Sequence, residues 1–88
     1  MPKTVRVFTS PTCAPCRQLK PELEFQAQNR GFELIKVELG PDTQQEFAKF
    51  GVRAVPVTIL MDGDKELDRF IGPMSPSGIE ARLNEWRL

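Results

Sequence analysis

The pattern of apolar and polar residues in the first third of the chain predicts a strand followed by a helix. Residues 4–10 (TVRVFTS) are rich in β-branched and aromatic side chains, as is typical of a strand. From Cys13 onward, apolar positions recur at helical spacing, at Cys16, Leu19, Leu23 and Ala27. Gly31 is a typical helix end, and Pro21 should bend the helix because it lacks a backbone N–H.

The middle of the chain predicts a second strand, a short helix and a third strand. Residues 32–39 (FELIKVEL) have strand character, and Asp42 is expected to cap a helix over residues 43–50. Residues 55–61 (VPVTILM) are almost continuously apolar. A strand of this composition is typically buried on both faces, so we expect it at the centre of a sheet.

A β-hairpin and a last helix complete the pattern. Asp62-Gly63 is a hairpin turn signal, and the more polar residues 65–71 (KELDRFI) predict an edge strand. Ser75 and Pro76 are typical of a helix start, as cap and first helical residue. The apolar side of this helix is predicted to contain Ile79, Leu83 and Trp86. The six phenylalanines are expected to be buried or half-buried packing residues.

The predicted order is β-α-β-α-β-β-α, which indicates the α/β class. The first β-α-β unit requires a parallel strand pair joined by a right-handed crossover, and the hairpin adds an antiparallel pair. We therefore expect one domain over residues 1–88, with a four-stranded mixed sheet and helices on both faces.

Composition excludes several classes of function. Lys and Arg balance Asp and Glu, for a net charge of zero, so no basic footprint for nucleic acid is present. No apolar run approaches the roughly 20 residues that span a bilayer, and the start does not resemble a signal peptide. We accordingly expect no membrane association, and a cytoplasmic location. With two Cys and no His, we expect no metal site, since structural zinc usually takes its ligands from Cys and His.

The two cysteines lie in SPTCAPC, at the junction between the first strand and the first helix. At a helix N-terminus, Cys13 would face free backbone N–H groups, which stabilise a thiolate. Cys16 would lie one turn further in, and Pro15 suits the first turn. Such a pair favours a reacting dithiol, in which Cys13 attacks a target disulfide and Cys16 resolves the mixed disulfide. An inert structural pair and a metal site remain the alternatives.

These motifs together make the chain similar to the thioredoxin family, from residue 3 almost to the end. CAPC (13–16) resembles the thioredoxin Cys-Gly-Pro-Cys motif, with Ala14 in place of glycine. KFGVRAVPVTIL (49–60) resembles the segment that ends in the cis-proline strand of thioredoxins. Four single residues match family positions: the helix proline Pro21, the cis-proline Pro56, the groove glycine Gly72 and the buried lysine Lys36.

The resemblance implies a thioredoxin-like fold and a small thiol-disulfide oxidoreductase that reduces protein targets. It implies a redox-active Cys13–Cys16 disulfide with no bound cofactor, and electrons from NADPH through a thioredoxin reductase, or from glutathione. It also implies that Val55, beside a cis Pro56, pairs with an extended peptide. The expected substrate-binding residues are Thr12, Ala14, Ala54, Val55 and Gly72. We expect a monomer acting on disulfide-containing proteins, for example ribonucleotide reductase.

The chain also departs from the family pattern. Thr12 stands where thioredoxins usually have tryptophan, and Val7 stands where they have a buried aspartate. Without that aspartate, Lys36, Glu38 or water is left to handle the proton. A glutaredoxin-type protein that uses glutathione is therefore an alternative, although DRFIGPMSPSG contains no evident glutathione clamp. A binding module with incidental cysteines is another.

Overall fold

The computed structural model describes residues 3–88 and shows the predicted element order. The expected domain bounds of 1–88 also include Met1 and Pro2, which lie outside the described residues. The elements are β1 (Lys3–Thr9), α1 (Ala14–Arg30), β2 (Glu33–Glu38), α2 (Gln44–Lys49), β3 (Val57–Asp62), β4 (Lys65–Ile71) and α3 (Pro76–Glu85). Each lies within two residues of its predicted bounds at both ends, apart from the end of α3, for which only the start was predicted.

The strands form one mixed sheet in the order β2-β1-β3-β4. β1 is parallel to β2 and antiparallel to β3, and β3 is antiparallel to β4. This confirms that the apolar third strand is central and that the polar fourth strand lies at an edge. β1 is also central, because it is hydrogen-bonded on both sides.

Helices cover both faces of the sheet, as expected. Alternate residues of β1 face opposite sides, so Val5 and Val7 lie on one face and Phe8 on the other. On the first face, Leu19 and Leu23 of α1 pack with Ile79 and Leu83 of α3. On the second face, Phe47 of α2 packs with Phe8, Val57 and Ile59.

The ends of α1 follow the predicted signals, whereas the start of α2 does not. Gly31 ends α1 with a φ of 77°, and its N–H donates to the Ala27 carbonyl. The expected cap of α2, Asp42, is wrong: the N-cap is Thr43. The Thr43 hydroxyl donates instead to the Glu38 carbonyl at 2.6 Å, which ties the end of β2 to the start of α2.

The hairpin turn is displaced by one residue from its predicted position. Asp62 is the last residue of β3 and pairs with Lys65, so Gly63 and Asp64 form the loop. Gly63 has a φ of 62°, the left-handed value that a two-residue hairpin needs at its first position. The glycine signal was therefore correct, and the aspartate belongs to the strand.

The buried stripe of α1 differs from the prediction near its C-terminal end. Ala27 is only half-buried, whereas Gln26 is buried and hydrogen-bonds to Glu22 and Arg30. Phe25 was expected to pack, but its side chain is 57 % exposed. The stripe turns with the 3.6-residue helical period, so Gln26 follows Leu23 into the core and Phe25 faces solvent.

No helix in residues 3–88 has both the length and the apolar character needed to cross a bilayer.

Trp86 is buried at the end of α3 and joins the helix to the edge strand. Its ring packs against Phe70, with centroids 6.0 Å apart. Its indole N–H donates to the Asp68 carboxylate at 2.9 Å. This hydrogen bond, with a second from the Arg69 backbone N–H, lowers the pKa of Asp68 in the folded chain. Asp68 is therefore stabilised in its charged form by folding.

Replacing Asp68 should lower the free energy of unfolding at neutral pH. It should also reduce the loss of that free energy on going to acid pH. Because the pKa of Asp68 is lower in the folded chain than in the unfolded chain, its carboxylate stabilises the fold at pH values above the unfolded pKa of about 3.9. This stabilisation is lost as the pH falls through the folded pKa. Because the carboxylate is half exposed, we expect Asp68→Asn to cost no more than about 1 kcal/mol at neutral pH. Urea denaturation at about pH 7 and pH 3, followed by Trp86 emission, measures both effects.

Asp64→Asn is the matched control, because Asp64 is an exposed aspartate in the hairpin loop. It should leave both denaturation midpoints near those of the wild type. Equal midpoints for Asp68→Asn and Asp64→Asn at neutral pH would contradict a stabilising role for the Trp86–Asp68 hydrogen bond.

Candidate functional site

Cys13 and Cys16 form a disulfide at the junction between β1 and α1, with Cα atoms 5.3 Å apart. Cys13 is the N-cap of α1, and Cys16 lies in its first turn. Pro15 occupies the first turn as predicted, at a position where its missing N–H removes no helical hydrogen bond. The short loop after the central strand β1 therefore brings both sulfurs to one end of the sheet.

The cap geometry creates a polar environment for the outer sulfur. Cys13 has extended backbone angles, φ −91° and ψ 105°, and its sulfur accepts a hydrogen bond from the Cys16 backbone N–H at 3.2 Å. The positive end of the α1 dipole lies at the same place. Both interactions stabilise negative charge on the Cys13 sulfur once the disulfide is opened.

The two cysteines differ in exposure in the predicted direction. Cys13 is 9 % exposed and Cys16 is 3 % exposed. Cys16 faces the core, in the same helical stripe as Leu19 and Leu23. Cys13 is therefore the more exposed residue of the pair, and both are largely buried in the disulfide form.

A small cleft of about 90 Å³ lies directly beside the disulfide. Both cysteines line it, together with Thr9 at the end of β1, Lys20 of α1 and Glu38 at the end of β2. Sequence reasoning named Glu38 only as one option and missed Thr9 and Lys20. Strand alternation gave a signal for Thr9, since it continues the buried face of Val5 and Val7.

The segment before β3 lies near the end of β1, because Val57 is the register partner of Phe8. The Val55-Pro56 bond is cis, as the resemblance implied. The Gly72 N–H donates to the Pro56 carbonyl at 2.8 Å, which places Gly72 next to this bend. Ser10 lines the disulfide cleft and also a cavity of about 260 Å³ formed by Ala54 and Val55. Val55, Pro56 and Gly72 are thus brought together next to the end of β1, from which the chain continues to the cysteines.

The residues predicted to bind substrate are uncharged, whereas Arg17, Lys20 and Glu38 line the cleft beside the disulfide. Thr12, Ala14, Pro15 and Ala54 are exposed, and Val55 and Gly72 are half-buried. Sequence reasoning missed Ile71, which is 69 % exposed and is the register partner of Val57. The signal for Ile71 was its position at the end of an edge strand, directly before Gly72.

Lys36 is not brought to the disulfide cleft, and the burial implied by the resemblance is wrong. Its side chain is 47 % exposed and forms an ion pair with Glu24 of α1. Its register partner is Val7, which offers no charge inside the sheet. Burying a lysine without a partner is costly, so Lys36 extends to the surface carboxylate instead.

Within residues 3–88, no cluster of three or more His, Cys, Asp or Glu side chains is placed to hold a metal ion.

Comparison with known proteins places the chain among the thioredoxins. The thioredoxin family model matches residues 2–85. The chain is 26% identical over 80 residues to a thioredoxin of Porphyra purpurea, covering 90% of this chain and 75% of that protein. It is 30% identical over 77 residues to a thioredoxin of Alicyclobacillus acidocaldarius, covering 86% of this chain and 73% of that protein.

Solved structures agree. The chain matches the thioredoxin of Fasciola hepatica with a TM-score of 0.77 and 31% identity, covering 98% of this chain and 80% of that one. It matches the fold of Chlamydomonas reinhardtii thioredoxin f2 with a TM-score of 0.85 at 20% identity, covering 97% of this chain and 79% of that one. These names favour a thioredoxin over a glutaredoxin. With its disulfide-bonded Cys13–Cys16 pair, the chain belongs to the thioredoxin family of thiol-disulfide oxidoreductases.

Proposed function

We propose that the protein reduces disulfide bonds in target proteins, with Cys13 as the attacking cysteine and Cys16 as the resolving cysteine. The observation that carries this assignment is the asymmetry of the pair. Cys13 caps α1 and is the more exposed residue, whereas Cys16 is packed in the first turn. The attacking thiol needs access and a stabilised thiolate, and the resolving thiol needs only to reach its neighbour.

The reaction takes place in two exchange steps. The Cys13 thiolate attacks one sulfur of the target disulfide, forms a mixed disulfide and releases the other target sulfur as a thiolate. Cys16 then loses its proton and attacks the Cys13 sulfur. The Cys13–Cys16 bond forms, the bond from Cys13 to the target breaks, and the target leaves fully reduced. The target gains the electrons that the cysteine pair loses.

The backbone near Pro56 is suited to hold an extended target segment. Ala54 and Val55 lie just before β3. The pairing of β3 with β1 begins only at Val57, so the peptide groups of these two residues lie beyond the paired part of the strand. We propose that a target pairs with Val55 by main-chain hydrogen bonds and contacts Gly72, Thr12 and Ala14 with its side chains. The exposed Ile71 extends this uncharged surface.

Electrons are proposed to come from NADPH through a thioredoxin reductase rather than from glutathione. The thioredoxin relatives support this choice. Recycling by NADPH suits a reducing compartment, so the cytoplasm is part of the proposal. Both reacting cysteines belong to one chain, so a monomer is sufficient. Ribonucleotide reductase, which is itself oxidised to a disulfide, is one target of the right chemical kind.

In the reduced protein, Cys13 should react with an alkylating agent faster than Cys16. It is the more exposed residue of the pair and lies at the helix N-terminus. Brief treatment with substoichiometric iodoacetamide at about pH 7, followed by tandem mass spectrometry of the peptide containing both cysteines, locates the label. Preferential labelling of Cys16 would reverse the assigned roles.

Cys16→Ser should accumulate mixed disulfides with target proteins, because the resolving sulfur is absent. Cys13→Ser is the matched control and should accumulate none, since the remaining cysteine is 3 % exposed in the native disulfide form. Non-reducing electrophoresis after incubation with an oxidised target measures both. Accumulation by Cys13→Ser alone would contradict the scheme.

Insulin reduction should be fast with NADPH and thioredoxin reductase and slow with glutathione and glutathione reductase. The rate of NADPH oxidation in the two coupled assays gives the comparison. The reductase should come from the same source as the protein, because Thr12 changes the surface next to Cys13. Fast turnover with glutathione and none with that reductase would show that the glutaredoxin-type alternative is correct.

A further inference from the structure

A groove of about 690 Å³ lies between α1 and the segment that leads into α3. One wall is formed by Arg17, Pro21 and Glu22 of α1. The other wall includes Pro73 and Met74, which precede α3. The groove is much larger than the cleft of about 90 Å³ beside the disulfide, so it has room for target side chains that the cleft cannot hold.

The groove adjoins the site of disulfide exchange at two points. Arg17 lines both the groove and the cleft that contains the cysteines. On the opposite wall, Pro73 directly follows Gly72, whose N–H donates to the Pro56 carbonyl. A target segment that reaches Cys13 by way of Gly72 can therefore continue into the groove.

The charge of the groove changes along its length. Arg17, at the end next to the disulfide, is exposed and forms no ion pair within residues 3–88. Its charge does not serve the helix, because the dipole of α1 favours anions rather than cations near this end. Glu22 lies more than one turn further along α1 and accepts a hydrogen bond from Gln26 at 3.1 Å. Arg17 therefore offers an uncompensated positive charge beside the disulfide.

The apolar part of the groove depends on Gly78 of α3. A Cβ at this position would lie 2.8 Å from Met74 Cγ and 3.3 Å from Met74 Sδ, so a larger residue would displace the methionine. Met74 is half-buried and packs against the core, and methionine adapts readily to different apolar partners. Pro21, Pro73 and Met74 thus form an uncharged patch next to the charge of Arg17.

The length of this part of the groove matches about two residues of an extended target. Arg17 and Pro21 are four residues apart on α1, which corresponds to about 6 Å along the helix axis. An extended chain advances about 3.3 Å per residue. One target side chain would therefore lie beside Arg17 and the next beside the apolar patch.

We propose that the groove binds an extended target segment with an acidic residue next to its cysteine and an apolar residue beyond it. Arg17 pairs with the acidic side chain, and Met74 contacts the apolar one. The inference rests on the proposed function, because it names the class of target that the Cys13–Cys16 pair reduces fastest. Arg17 and Met74 determine which target is bound, whereas the two cysteines carry out the exchange.

Activated peptides measure this preference in the first exchange step. Each peptide carries one cysteine as a mixed disulfide with 2-thiopyridine. The Cys13 thiolate attacks the peptide sulfur and expels pyridine-2-thiolate, the better leaving group, whose absorbance gives the rate. Glutamate and then leucine are placed either before or after the cysteine, and the order that reacts faster is used. Matched peptides replace glutamate with lysine, or leucine with serine.

A small uncharged disulfide, 4,4′-dithiodipyridine, separates this proposal from the proposed function. It reports the exchange reaction of Cys13 without a target segment. No reaction with it would contradict the attacking role of Cys13. A normal reaction with it, together with equal rates for all the peptides, would leave the proposed function standing and overturn the groove as a target-binding site.

At low salt, the wild type should react about threefold faster with the glutamate peptide than with the lysine peptide, as expected for one exposed charge pair. Arg17→Gln should remove most of this ratio, and so should about 1 M salt. Arg53→Gln is the charge-matched control and should lower the ratio less. Arg53 is also exposed, but it lines the cavity at Ala54 and Val55 instead of the groove. Equal losses in the two variants would show that the preference follows the overall charge near the disulfide, and would overturn the proposal.

Met74→Ala should lower the ratio of the leucine to the serine peptide rates about threefold, because apolar contact area is lost, and should keep the ratio for glutamate over lysine. Leu67→Ala is the matched control, since Leu67 is an apolar residue of β4 that is 41 % exposed and does not line the groove. Gly78→Ala, which displaces Met74 without removing it, should act in the same direction as Met74→Ala. If Met74→Ala and Leu67→Ala give the same leucine preference, the assignment of Met74 is wrong.

Discussion

The site depends on one constraint, the connection between a strand held on both sides and the helix that follows it. β1 pairs with β3 from Lys3 to Phe8 and with β2 from Thr4 to Thr9, so the pairing with β2 positions its last residue. α1 is held against the same strand by Leu19 and Leu23, which pack on Val5 and Val7. The loop between them is short, and Cys13 must therefore lie at the helix N-terminus, where backbone N–H groups meet its sulfur.

The same constraint explains why polar side chains line the cleft beside the disulfide. β1 and β2 are parallel, so their carboxyl ends lie at one edge of the sheet. The side chains at these ends, Thr9 and Glu38, meet under the first turns of α1, where Cys16 and Lys20 are found. Ligand and reaction sites of α/β sheets form at this edge for the same geometric reason. The disulfide and the cleft are two consequences of one strand-to-helix connection.

The sequence predicted the elements well because each depends on a local pattern. Examples are the apolar run before Asp62, the glycine at position 31 and the helix start at Ser75-Pro76. Each of these signals affects only the backbone within a few residues. The errors arose where two local options competed. Asp42 and Thr43 are both acceptable helix caps, and the structure uses Thr43, whose hydroxyl donates to the Glu38 carbonyl at the end of the preceding strand.

The cysteine pair could be found from sequence for the same reason, since its spacing and its strand-helix junction are local. The cleft could not, because the pairing of Thr9 with Glu38 is a matter of strand register. A shift of one residue would turn Glu38 to the opposite face, and no periodicity within β2 specifies the alignment with β1. Lys36 shows the same limit. Its exposure depends on Glu24 of α1, a partner on another element.

The charged side chains near the site lie at the surface, so within residues 3–88 the interior between α1 and the sheet contains no charged group. The positions directly between α1 and the sheet are held by Val7, Thr9 and Thr58, none of which is ionisable. A buried carboxylate at position 7 would need a partner, and the register neighbour Lys36 would have to leave water to supply it. With Val7 in the core, Lys36 pairs with Glu24 at the surface instead, and Glu38 is exposed at the end of β2, where it lines the cleft. Thr9 adds an uncharged buried side chain to the same cleft, whereas its ionisable side chains, Arg17, Lys20 and Glu38, are exposed or half-buried.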